Sequence, residues 1–115
     1  MKTNKETEAK INQLQILEQN IQNFLAQKQV FQSQLLEVDN ALTELENTKG
    51  QVYRITGNIM VASTKETLNK DLQNRKEVLG LRIKSFEKQE NQLKEKASKL
   101  QSEVLSQIKA GEAET

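Results

Sequence analysis

Apolar residues recur at alternating steps of three and four positions along two long stretches, and this spacing constrains the fold more than any other feature. It places apolar side chains on one stripe of an α-helix, the seam of a coiled coil. The sequence therefore predicts two long helices, over residues 5–48 and 64–109. The seam positions are Leu14, Leu17, Ile21, Phe24, Lys28, Phe31, Leu35, Val38, Leu42 and Leu45 in the first helix, and Leu72, Lys76, Leu79, Ile83, Phe86, Glu90, Leu93, Ala97, Leu100 and Val104 in the second.

The two helices are nearly equal in length and a short connector joins them, so we expect an antiparallel pair. Folding back brings Lys28 and Glu90 to similar heights. Two interpretations of these polar seam members stay open. They pair across the seam and help to fix its register, or each long side chain extends to water. Gly80 lies in the second helix off the seam, and the sequence offers no reason for it.

Local signals mark the helix borders. Gly50 suits the left-handed residue just past a helix C-cap. Ser63 and Glu66 have the spacing of a capping box, which predicts Ser63 as the N-cap of the second helix. We expect the segment 110–115 to be a frayed tail.

The connector, residues 51–62, reads as a β-hairpin. Two bulky apolar runs, Val52–Ile55 and Ile59–Val61, flank the turn signal Thr56-Gly57-Asn58. An isolated hairpin is marginally stable in water, and this one is apolar on both faces with unpaired edges. We therefore expect several copies to join their hairpins into a shared sheet or barrel. The predicted fold is all-α with a small β-hairpin: a long antiparallel two-helix coiled coil in a single domain over 1–115.

Composition excludes several functions. The chain has no His or Cys, so it lacks the commonest general base, thiol nucleophiles and thiolate metal sites. Its 17 basic and 16 acidic residues give no basic footprint for nucleic acid. No apolar run is long enough to span a membrane. We expect a cytoplasmic protein that is not an enzyme and needs no cofactor or metal.

Apolar residues outside the seam concentrate near the free ends of both helices. They are Ile11, Ile16 and Leu25 in the first helix and Leu105 and Ile108 in the second. Exposed apolar patches often mark binding sites, although scattered surface apolar residues are also ordinary. We expect these ends to bind a partner.

The order helix, hairpin, helix, with Val52-Tyr-Arg-Ile-Thr-Gly-Asn-Ile-Met-Val61 at the hairpin, closely resembles prefoldin subunits. The stretch from Arg75 to Glu90 is similar to the second helix of archaeal β-type subunits. The similarity covers nearly the whole chain. The single hairpin and the short chain also match the β type.

The resemblance implies a hetero-hexamer of two α-type and four β-type subunits, whose hairpins form a double β-barrel that carries six coiled coils. It implies an ATP-independent chaperone that holds unfolded proteins at the coiled-coil tips and passes them to a group II chaperonin. The implied assembly residues are Val52, Tyr53, Ile55, Gly57, Ile59, Met60 and Val61. The implied client-binding residues are Ile11, Leu14, Leu17, Leu100, Val104 and Ile108. The apolar residues near the free ends add Ile16 and Leu105 to this set.

Two other functions compete with this interpretation. A structural coiled-coil tether explains the seams but gives the hairpin no purpose. A nucleic-acid-binding helical arm conflicts with the balanced charge.

Overall fold

The computed structural model describes residues 5–113; residues 1–4 and 114–115 lie outside the described part of the chain. Helix α1 spans Lys5–Asn47 and helix α2 spans Lys65–Ala113, with strands β1 (Val52–Thr56) and β2 (Ile59–Ser63) between them. The predicted fold class, two long helices joined by a β-hairpin, is confirmed. Helix α2 continues beyond the predicted end at residue 109, through Gly111, so most of the expected frayed tail is helical. The last two residues of that predicted tail lie outside the described residues.

The chain divides into two compact units. Among the described residues, the terminal unit contains 5–28 and 85–113, and the hairpin unit contains Gln29–Lys84. Each unit pairs a segment of α1 with a segment of α2. In both units the partner positions move backward along α2 as the chain advances along α1, so the two segments run antiparallel. The contacts are Thr7–Gln107 and Lys28–Glu90 in the terminal unit, and Phe31–Arg82 and Asp39–Lys76 in the hairpin unit.

The terminal unit is held by an aromatic contact and by polar layers. Phe24 and Phe86 meet edge to face with their ring centroids 5.7 Å apart, a favoured aromatic geometry. Thr7 is 3% exposed and donates a 2.6 Å hydrogen bond to Gln107. The seam prediction began only at Leu14, so this polar layer extends the paired region toward the chain ends.

The hairpin unit buries Val38, Leu45, Leu79 and Ile83, all predicted seam positions. The guanidinium of Arg82 lies 5.5 Å from the ring centroid of Phe31, within the range of a cation–π contact.

Lys76 is the seam position that the structure leaves exposed. Its ammonium lies 2.9 Å from a carboxylate oxygen of Asp39, and both side chains are more than two-fifths exposed. An ammonium is strongly hydrated, so this seam position keeps its charge at the surface, paired with Asp39.

The hairpin turns tightly at Gly57 and Asn58. Thr56 pairs with Ile59 at the end of the antiparallel ladder, which leaves a two-residue loop. Gly57 has φ 61°, and no non-glycine residue within 5–113 has a positive φ. Glycine in the first central position with an ordinary residue after it is the pattern of a type II′ turn, which matches the twist of the flanking strands.

The junctions between helices and strands differ from the sequence prediction. Gly50 does not adopt the left-handed conformation expected of it. Instead, the ammonium of Lys65 donates to the carbonyl oxygens of Glu46 and Thr48, at 3.0 and 3.3 Å. A cation at a helix C-terminus binds carbonyl oxygens that have no intrahelical partner, and it interacts favourably with the helix dipole. This lysine therefore performs the capping that the sequence assigned to a glycine.

The N-cap of α2 is Thr64, not Ser63. Ser63 is the last residue of β2 and pairs with Val52. The backbone N–H of Thr67 donates to the Thr64 hydroxyl oxygen at 3.2 Å, and that hydroxyl donates to Thr67 Oγ1 at 2.7 Å. The capping-box prediction was wrong because Ser63 is paired within β2, so the hydroxyl of the next residue, Thr64, caps the helix.

Candidate functional site

The hairpin presents two faces of different chemistry. Directly opposed residues of an antiparallel pair share a face, and successive residues alternate. The register therefore defines an apolar face, made of Tyr53, Ile55, Met60 and Ala62. It also defines a mixed face, made of Val52, Arg54, Thr56, Ile59, Val61 and Ser63.

The predicted assembly residues are unusually exposed. Tyr53, Ile55 and Met60 on the apolar face are 54%, 72% and 65% exposed, and Ile59 and Val61 on the mixed face are 66% and 49% exposed. Val52 is half-buried and Gly57 is at the turn. Apolar side chains concentrated on one small hairpin form a patch of the kind that marks a protein interface.

Polar contacts anchor the hairpin within its unit. Arg54 lies 3.1 Å from a carboxylate oxygen of Asp71 in α2. The side-chain amide of Gln51 donates to the carbonyl oxygens of Val52 and Ser63, at 3.1 and 3.2 Å, so it joins the open ends of both strands. These contacts present the apolar face in a defined position.

The predicted client-binding residues fall into two groups in the terminal unit. Ile16 and Leu105 are 58% and 52% exposed. The others contribute to the seam: Val104 is 7% exposed, and Ile11, Leu14, Leu17, Leu100 and Ile108 are half-buried. The sequence placed Ile11 and Ile108 outside the seam. That placement is corrected here, since the paired region continues to Thr7 and Gln107 and partly covers both side chains.

An apolar groove of 470 Å³ lies between the two helices of the terminal unit. Ile16, Leu17 and Leu100 supply its apolar lining. These three residues are among the predicted client-binding positions, whereas the polar residues around them, Gln13, Lys96, Lys99 and Glu103, are not. Heptad position could have identified them, since all four immediately precede a seam position.

Lys10 forms two ion pairs in the terminal unit. Lys10 lies 3.3 Å from a carboxylate oxygen of Glu103 and 3.5 Å from one of Glu6. Desolvation lowers the pKa of Lys10, but the hydrogen bonds and charges of Glu103 and Glu6 outweigh it and raise the pKa above its ordinary value. Lys10 thus remains charged and neutralises Glu103.

Within residues 5–113, His, Cys, Asp and Glu side chains form no cluster that could hold a metal ion. In the same part of the chain, neither helix contains a stretch apolar enough to cross a membrane. The candidate binding surfaces are the exposed hairpin and the groove of the terminal unit.

Comparison with known proteins agrees with this architecture. The sequence profile of the prefoldin subunit family matches residues 8–110. The prefoldin subunit beta of Sulfurisphaera tokodaii is 39% identical over 86% of this chain and 81% of its own length. The corresponding protein of Caldivirga maquilingensis is 35% identical over 89% of this chain and 86% of its own length.

A solved structure extends the likeness to the fold. The crystal structure of the prefoldin beta subunit from Thermococcus strain KS-1 matches with a TM-score of 0.87 at 31% identity, over 91% of this chain and 94% of that one. Fold, sequence and the position of the hairpin agree, and the chain belongs to the prefoldin subunit family, with archaeal β-type subunits among its relatives.

Proposed function

We propose that this chain is the β-type subunit of an ATP-independent holdase, which binds unfolded proteins and delivers them to a group II chaperonin in the cytoplasm. Family membership supports the coarser part of this proposal, a chaperone-related role in a complex with other prefoldin subunits. The proposed complex is a hetero-hexamer with two α-type and four β-type subunits. No cofactor and no nucleic acid enters the mechanism.

The exposed hairpin supports the assembly. Its apolar face leaves Ile55 and Met60 about two-thirds exposed as a directly opposed pair. Burial of apolar area contributes roughly 25 cal/mol per Å², so joining several such faces stabilises an oligomer. The proposed assembly residues are those of the sequence prediction, Val52, Tyr53, Ile55, Gly57, Ile59, Met60 and Val61.

The terminal unit supports client binding. Ile16 and Leu105 are exposed and can contact a client directly. Val104 is buried and becomes accessible only where the two helices separate. The proposed client-binding residues therefore act in two ways: exposed ones make first contact, and seam residues join on local opening. One weak contact on each of several arms binds a client through high effective concentration.

The first experiment measures native mass, for this chain alone and mixed with an α-type prefoldin subunit from the same organism. A species containing two α-type and four β-type chains supports the proposed assembly. A monomer or dimer that the partner leaves unchanged contradicts it and favours the structural tether.

A second experiment separates client binding from assembly. Replacing Ile16 and Leu105 by Asp should leave the native mass unchanged and reduce the suppression of aggregation of a chemically unfolded client. The matched control replaces Val30 and Val78 by Asp. Both are apolar residues of the hairpin unit and are similarly exposed, at 56% and 50%. If the Ile16/Leu105 variant suppressed client aggregation as well as the Val30/Val78 control did, the terminal unit would not be the client site.

A further inference from the structure

Charged groups around the groove of the terminal unit are not balanced. The groove has an apolar lining from Ile16, Leu17 and Leu100, and the lysines Lys96 and Lys99 stand at its rim. Both lysines are exposed. Within the described residues, neither ammonium has a carboxylate at ion-pair distance, whereas the ammonium groups of Lys10, Lys28 and Lys94 each do.

Glu103 is the one acidic residue lining this groove. It is four residues from Lys99, a spacing at which the two side chains could pair. Its carboxylate is held by Lys10 instead, at 3.3 Å. The groove therefore presents an apolar surface beside two lysines that form no ion pair, and its one lining carboxylate is paired with Lys10.

We propose that this groove selects client segments in which an apolar side chain is flanked by Asp or Glu. The apolar side chain covers Ile16, Leu17 and Leu100, and the flanking carboxylate pairs with Lys96 or Lys99. Segments with basic flanks meet like charge at the rim and are disfavoured, so the groove discriminates by repulsion as well as by attraction. The inference rests on the proposed function and specifies the client class that the holdase prefers.

The test measures binding of three short unstructured peptides to the full chain in its native assembly. The peptides share an apolar centre, Leu-Phe-Leu, and carry a neutral dye; their flanks are Asp, Ser or Lys. The Asp-flanked peptide should bind about fivefold more tightly than the Lys-flanked one, as two exposed charge contacts allow. In about 1 M salt, where the Debye length is about 3 Å, the difference should vanish.

Charge reversal tests the lysines directly. The variant with Lys96→Glu and Lys99→Glu should invert the order, so that the Lys-flanked peptide binds best. The milder variant, Lys96→Gln with Lys99→Gln, should bring the three peptides to similar affinity. The matched control is Lys84→Glu with Lys88→Glu, two exposed lysines on the same helix outside the groove. It changes net charge equally and should leave the order unchanged.

Three outcomes would overturn the inference in distinguishable ways. If the three peptides bound the unmodified chain equally while it still suppressed client aggregation, charge selection would be wrong and the holdase proposal would stand. If no peptide bound and aggregation was not suppressed, both would be wrong. An equal loss of the preference in the control variant would assign it to overall charge, against the groove.

Discussion

The ammonium of Lys28 lies 2.9 Å from a carboxylate oxygen of Glu90, across the seam of the terminal unit. The two side chains are 16% and 7% exposed, and Lys94 approaches the other carboxylate oxygen at 3.1 Å. The sequence left open whether the two residues pair or extend separately to water, and the structure shows the pair. Charges removed from water are tolerated when they are paired and hydrogen-bonded.

The pair predicts an asymmetric mutational response. Lys28→Leu should lower the thermal midpoint, because it leaves the carboxylate of Glu90 in the seam with Lys94 alone. The double variant with Glu90→Leu should recover much of the loss, since apolar residues often replace a buried ion pair without cost. Thermal unfolding followed by circular dichroism measures both. A single variant as stable as the double would show that the seam tolerates an unpaired carboxylate there.

Acid should weaken the chain through the same carboxyl group. Hydrogen bonds from Lys28 and then Lys94 hold the pKa of Glu90 below its ordinary 4.5, against desolvation, which raises it. The unfolded state therefore takes up this proton first, so the stabilisation is complete above the ordinary pKa. It is lost as pH falls from about 5 toward the folded-state pKa.

Urea unfolding at a series of pH values measures this loss. Glu90→Gln lacks the titrating group, so its unfolding free energy should fall less steeply than that of the unmodified chain below about pH 5. Parallel profiles for the two proteins would mean that Glu90 titrates alike in the folded and unfolded states.

Sequence periodicity predicted the pairing of the helices because it reports which stripe each helix buries, and Val38, Leu45, Leu79, Ile83 and Val104 are indeed buried. Strand propensity and the turn signal likewise predicted the hairpin.

The local caps were not predictable in the same way. Gly50 and Ser63 carry suitable local signals, but tertiary contacts made by Lys65 and strand pairing by Ser63 override them. The unpaired state of Lys99 was also hidden, since its helical neighbour Glu103 binds Lys10 across the helix pair instead.

The corrected N-cap predicts which of two adjacent hydroxyls stabilises α2. Thr64→Ala removes the acceptor of the Thr67 N–H and should lower the unfolding free energy by about 1 kcal/mol. Ser63→Ala is the matched control and should change it by less than about 0.5 kcal/mol, because the Ser63 carbonyl, not its hydroxyl, accepts from Gln51. Urea unfolding of both variants compares them. A larger effect at Ser63 would restore the original capping-box interpretation.

Gly80 predicts a stabilising substitution. It lies within α2, where glycine costs roughly 0.5–1 kcal/mol relative to alanine. A Cβ built there meets no atom within 4 Å outside its immediate helical surroundings. Gly80→Ala should therefore raise the unfolding free energy of the chain by about that amount, as measured by urea unfolding. A fall in stability specific to the assembled oligomer would identify a close approach by another subunit at this position.

The two hairpin faces predict which side of the sheet an assembled particle buries. The apolar face contains no polar side chain apart from the Tyr53 hydroxyl, whereas the mixed face contains Arg54, Thr56 and Ser63. Ile55→Asp with Met60→Asp should therefore abolish the oligomer in native mass measurements made with the α-type partner. Helicity should persist, because both side chains are already about two-thirds exposed in the single chain. The comparison variant, Ile59→Asp with Val61→Asp, makes the same change at the proposed assembly residues of the mixed face and should weaken the oligomer less than the apolar-face variant does. If the mixed-face variant lost the oligomer and the apolar-face variant kept it, the mixed face would be the one buried between subunits. Arg54 would then have to remain paired with Asp71 within that interface.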